Sequence, residues 1–126
     1  MRLDFIPNVN EHGESVVRLF QFKKEDCIKL CEIIQEKLIE DGESIDVDTL
    51  EFVEPRNCGL TLRLSFEDEG IVREDKVTFY CDLTEETYEN ILKKLAPFCL
   101  KNLRTHEYLY DLDTPIDFLI SPAGTW

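Results

Sequence analysis

Five cysteines, two histidines and a large excess of acids are the residues of this chain with chemistry to offer. Cys27 and Cys31 stand four apart. On a helix that spacing places two thiols on one face, close enough to share a metal ion. The same face carries Leu30, Ile34 and Leu38, and unpaired cysteine is among the most buried residue types. Cys58, Cys81 and Cys99 form no Cys-x-x-Cys pair. Cys27 and Cys31 are therefore expected to pack in a core, and neither a metal nor another cofactor is expected. Cys58, between Asn57 and Gly59, reads as an exposed turn cysteine whose only activating neighbour is Arg56. Asp46-Val47-Asp48 opens like a calcium loop, but Leu50 replaces an oxygen donor and Glu51 the required glycine. His12 falls in a turn and His106 just before a strand. No Gly-x-Ser-x-Gly elbow and no glycine-rich phosphate loop is present, and Ser65 falls on the polar side of a strand. No catalytic residue is expected.

One further segment bears on catalysis. Tyr110-Asp111-Leu112-Asp113-Thr114-Pro115-Ile116 resembles, over seven residues, the first motif of haloacid-dehalogenase-type phosphatases. In that family an apolar strand leads into Asp-x-Asp-Gly-Thr, whose first Asp attacks phosphorus and whose second is the general acid and base. Here the glycine is missing. Only 13 residues follow Asp113, and none is lysine. The family also requires a parallel αβ sheet, which the pattern of this chain does not show. The segment is expected to be a turn, with Asp113, Thr114 and Pro115 joining two strands.

What remains is charge. There are 27 acidic and 14 basic residues, a net charge of −13. Such a surface repels phosphate backbones and anionic lipid, so no nucleic-acid or membrane partner is expected. Between Leu38 and Pro55 stand Glu40, Asp41, Glu43, Asp46, Asp48, Glu51 and Glu54, with no lysine or arginine among them. These seven are the candidate contacts for a basic protein partner. Trp126, the only tryptophan, is the eighth: a large terminal aromatic is either a plug for the edge of the core or an interface anchor.

The elements that position these residues can be read from periodicity. At 126 residues the chain is expected to form a single domain over 1–126. Apolar residues at 27, 30, 31, 34 and 38 predict a helix from Lys24 to Asp41, ended by Gly42. Tyr88, Ile91, Leu92, Leu95 and Cys99 predict a second, capped by Thr84 and expected to kink or restart at Pro97. Alternation over 60–67 and over 77–83 predicts two strands joined as an antiparallel hairpin. Shorter alternations near 3–5, 17–22, 45–48, 108–110 and 116–120 predict the rest, with a first hairpin turning at His12-Gly13 and a bulge near Thr49. The order is ββαβββαββ: an α+β fold, mainly one antiparallel sheet with two amphipathic helices on one face.

An odd cysteine count and no signal-peptide pattern lead to an expectation of reduced thiols in the cytoplasm. The expected function is a non-enzymatic interaction module, a monomer or homodimer, in its most specific form an immunity or inhibitor protein that masks a basic bacterial toxin. The alternative is an orphan enzyme or small-ligand binder with a pocket lined by Tyr88, Tyr108 or Tyr110.

Overall fold

In a computed structural model, which describes residues 1–112 and 114–126, the chain is an α+β domain with two helices and two mixed sheets. Strands β1 (Arg2–Ile6) and β2 (Ser15–Phe20) form the expected antiparallel hairpin. Strand β8 (Glu107–Tyr110) and strand β9 (Ile116–Ser121) form another. β2 and β9 then pair in parallel, and the two-residue β4 (Glu54–Pro55) adds to the outer edge of β1. The order in this first sheet is β4-β1-β2-β9-β8. Its central strands are covered on both sides, which is why β2 buries Val16 and Phe20 as well as Val17 and Leu19.

The second sheet corrects the expected hairpin. Strand β5 (Gly59–Leu64) and strand β7 (Thr78–Leu83) do pair, but in parallel. Between them in sequence lies an unexpected strand, β6 (Gly70–Arg73), on the far side of β7 and antiparallel to it. The β6–β7 turn is tightened by Asp75, whose carboxylate accepts from the backbone N–H groups of Val77 and Thr78, both at 2.9 Å. Strand β3 (Ile45–Asp46) completes the order β3-β5-β7-β6. After β3 the chain makes a 3-10 turn, Val47–Thr49, where a bulge was expected; Ile45 and Val47 are both buried.

The two sheets meet closely at Gly70. Its φ of +81° disfavours any other residue, and a Cβ there would sit 3.0 Å from the ring of Tyr110 and 3.3 Å from the Thr114 hydroxyl. A single hydrophobic core runs between the sheets and the helices, drawing on every large element.

Helix α1 (Lys24–Ile33) continues as a π-helical segment, Ile34–Glu40, that ends before Gly42 at φ +68°. Helix α2 (Glu85–Leu100) begins at Thr84, whose hydroxyl accepts from the Thr87 backbone N–H at 3.3 Å. It runs continuously through Pro97, so it does not restart there. Residues 95 and 98 are buried on either side of Pro97, so packing holds the last turn despite the missing N–H. Tyr88 bolts α2 to the second sheet. Its hydroxyl lies 2.5 Å from the Cys81 carbonyl and 3.0 Å from that of Arg63, and it accepts from the Arg63 N–H at 3.1 Å. No helix among the described residues is long and apolar enough to cross a membrane.

Candidate functional site

The start of α1 meets the end of α2, where the Lys24 N–H donates to the Asn102 side chain at 2.8 Å. Between the two helices lies a cavity of about 530 Å³. Its floor is Cys31, Leu92, Ala96, Cys99 and Leu100; its wall is Glu32, Gln35, Glu36 and Glu40. The π-helical turn contributes directly. With hydrogen bonds reaching five residues back, as from Asp41 N–H to the Glu36 carbonyl at 3.2 Å, the turn is wider than an α-turn. Gln35 and Glu40, five apart, therefore reach each other at 3.3 Å while both face the groove. Leu100, 79% exposed, leaves an uncovered apolar edge.

At the back of the floor three thiols converge. Cys99 Sγ lies 3.3 Å from Cys27 Sγ and 3.5 Å from Cys31 Sγ, and all three sulfurs are within 4.8 Å of one another. Cys27 is fully buried, as expected, and its Sγ is 3.6 Å from the Leu95 carbonyl. Cys31 is only half-buried and opens onto the groove, which departs from the expected core position. Hydrogen bonding, above all from Cys27, lowers the Cys31 thiol to about 7 against the opposing effect of burial. The Cys27 thiol moves up, through its bond to Cys31 and through burial. Burial raises Cys99 to about 11. Cys58 corrects the turn assignment: it is 7% exposed, and burial, with Asp4 and Asp48 nearby, pushes it up to about 12. The Asn57 side chain is the reason. It accepts from Phe5 N–H at 2.8 Å and donates to the Phe5 carbonyl at 3.0 Å, drawing the segment onto β1.

The acidic stretch divides in two. Glu40 belongs to the groove wall, and Asp41 and Glu43 follow it in exposed positions. Glu51 is exposed beside a smaller cavity with Glu32, Leu50 and Phe52. The others are tied into the fold. Asp46 accepts from the Thr61 hydroxyl at 2.7 Å and Asp48 from the Leu60 N–H at 3.0 Å. Glu54 lies 3.5 Å from Arg2 and 3.7 Å from Arg56. Glu32 and Glu36 were missed, although with Glu40 they stand at i, i+4 and i+8, a spacing open to reading as one acidic stripe on a helix. Trp126 is away from the groove, half-buried against the rings of His106 (6.2 Å) and Tyr108 (6.5 Å). Its carbonyl accepts from Arg18, which also forks onto Asp4 at 2.8 and 3.1 Å. Trp126 thus lies against residues of β2 and β8.

The tyrosines are dispersed. Tyr88 is fully buried and Tyr108 packs on Trp126. Tyr110 lines a separate cavity of about 340 Å³ with Asn90, Lys93, Lys94 and Asp111. Asp111 is exposed beyond an edge strand that is antiparallel to its neighbour, and Asp113 lies outside the described residues.

Asp117, on β9, is 8% exposed; burial, with Glu14 and Asp111 adding like charge, pushes its carboxyl up from 3.8 to about 6. The folded protein therefore holds this proton where the unfolded chain has released it, and stability contributed by the neutral form is lost as pH rises through that window. Asp117→Asn is expected to flatten this part of the stability-versus-pH curve and to raise stability at pH 7, read from urea midpoints between pH 4 and 8. A curve unchanged by the substitution would show that Asp117 ionises freely.

Comparison with protein-family models and with curated protein sequences gives no match.

Proposed function

We propose that this chain is a non-enzymatic interaction module of the cytoplasm whose groove between α1 and α2 receives a basic amphipathic segment of a partner protein. The observation that carries this is the pairing of an apolar floor (Leu92, Ala96, Leu100) with an acidic wall (Glu32, Glu36, Glu40). Apolar side chains of such a segment fill the floor, and its lysines or arginines meet the wall. Net charge supports the same partner class, since −13 attracts a basic protein from a distance. An immunity or inhibitor protein that masks a basic toxin is the most specific form of this reading.

The test is quantitative capture of partners from the native host with wild type, Ala96→Trp and Phe66→Ser. The first variant fills the groove floor. The second alters a fully exposed apolar residue elsewhere. A basic protein retained by wild type and Phe66→Ser but lost by Ala96→Trp is expected. Retention by all three, or a partner that is acidic, would refute the groove. The small-ligand alternative keeps one foothold, the Lys93, Lys94 and Tyr110 cavity, whose lysines suit a small anion.

A further inference from the structure

We propose that Cys27, Cys31 and Cys99 form a three-thiolate site for one thiophilic divalent cation of the zinc and cadmium kind. Among the described residues, these three are the one group of metal-ligating side chains whose donor atoms converge this closely. Metal–sulfur bonds of about 2.3 Å in tetrahedral geometry place sulfurs roughly 3.8 Å apart. The observed separations of 3.3 and 3.5 Å lie within about half an ångström of that spacing, and the third is no more than 4.8 Å, so small side-chain rotations bring all three to it.

The fold holds the three donors before any ion arrives. Cys27 and Cys31 stand one turn apart on α1, and Cys99 faces them from the last turn of α2. The contact of Cys27 with the Leu95 carbonyl and the bond from Lys24 N–H to Asn102 fix the two helices against each other at this point. Donors already in place spare the ion much of the ordering cost of assembling a site.

An all-sulfur set selects the ion. Thiolates favour soft and borderline cations and disfavour magnesium and calcium, which take oxygen ligands. No histidine lies in the cluster. Each thiol that binds gives up its proton to solvent, so three thiolates and a divalent cation leave one net negative charge. Access comes from one side. Cys31 and Cys99 line the groove, while Cys27 closes the back with no exposure. Three protein ligands leave one coordination position free, and it faces the groove, on the side of Glu32 and Glu36. Sites that keep such a position exchange ligands there, whereas four-ligand structural sites are closed. The site stands independently of any protein partner for the groove.

The experiment is titration of metal-free protein, kept reduced by a phosphine, with Cd(II), followed by the ultraviolet thiolate-to-metal charge-transfer band. The band is expected to saturate at one ion per chain and to be reversed by excess Zn(II). Cys31→Ser and Cys99→Ser are each expected to weaken binding by more than about tenfold, the loss that even outer-shell changes at metal sites produce. Cys58→Ser, remote from the cluster, is expected to leave the titration unchanged. Circular dichroism of each variant checks the fold. Cys31 is half-buried, so its serine variant decides the matter if Cys99→Ser does not fold. A wild type without a saturable one-ion band, or a band that survives unchanged in folded Cys31→Ser, would overturn the proposal and leave the thiols as core packing.

Discussion

Replacing Phe79 by alanine is expected to destabilise the protein by about 3–5 kcal/mol, the range for deleting a fully buried aromatic ring. Phe79 is the second residue of β7 and has no exposed surface. Its ring lies 4.6 Å from that of Phe5 on β1, so this contact joins the second sheet to the first. The Arg73 guanidinium, 4.8 Å from the Phe5 ring centre and 5.4 Å from that of Phe79, spans the pair. Alanine removes the ring's transfer energy, opens a cavity between two sheets that cannot close up independently, and strands the cation–π contact. Small domains are stable by about 5–15 kcal/mol, so the variant stands near the unfolding threshold. Phe66→Ala is the matched control: the same atoms are removed from a fully exposed position, and a change within about 0.5 kcal/mol is expected. Urea midpoints with their m-values make the measurement. A Phe79→Ala cost under about 1 kcal/mol would mean that the sheets are held together elsewhere.

What the sequence disclosed of this fold was what local chemistry decides. The Thr84 cap, the helical stop at Gly42 and the buried faces of both helices follow from spacings of a few residues. So do the β1–β2 and β8–β9 hairpins, whose partners are neighbours in the chain. The β5–β7 pair was misread because alternation tells which face of a strand is buried and is silent on the direction of its partner. The four residues of β6, two of them apolar, were too few to declare a strand, yet they are what turns an expected hairpin into a crossover. The site was hidden by sequence distance. Cys27 and Cys31 were visible as a pair, but Cys99 stands 72 and 68 residues away from them, and only the packing of α2 on α1 brings it in. Nothing in Ile34–Glu40 announces a π-helical turn in place of an α-helical one, so the alignment of Gln35 with Glu40 could not be foreseen.

The groove's electrostatics carry the second large effect. Converting Glu32, Glu36 and Glu40 together to lysine is expected to slow association with the basic partner by about 10–10³-fold at low salt, with a smaller change in dissociation. All three line the groove, and among the described residues none is within ion-pairing distance of a basic group; Glu40 meets the Gln35 side chain at 3.3 Å. Their reversal should therefore leave the fold intact. Asp46 is unsuited to the same experiment, because it accepts from Thr61 between β3 and β5 and its loss would mix folding with binding. A distant triple, Glu11, Glu67 and Glu69 to lysine, separates local charge from total charge. Each triple adds six charges and takes the net from −13 to −7. If overall attraction alone guides the partner, both triples slow association equally. If the groove wall guides it, the groove triple slows association far more. Wild-type and distant-triple rates should also fall steeply with added salt as the screening length shortens to about 8 Å at physiological ionic strength. The groove triple should show a shallower slope, since its three lysines oppose the attraction that the remaining net charge of −7 exerts and that salt would screen. Association rates measured across ionic strength for the three proteins decide the point, and matching rates and slopes for the two triples would remove the groove wall as the partner's docking site.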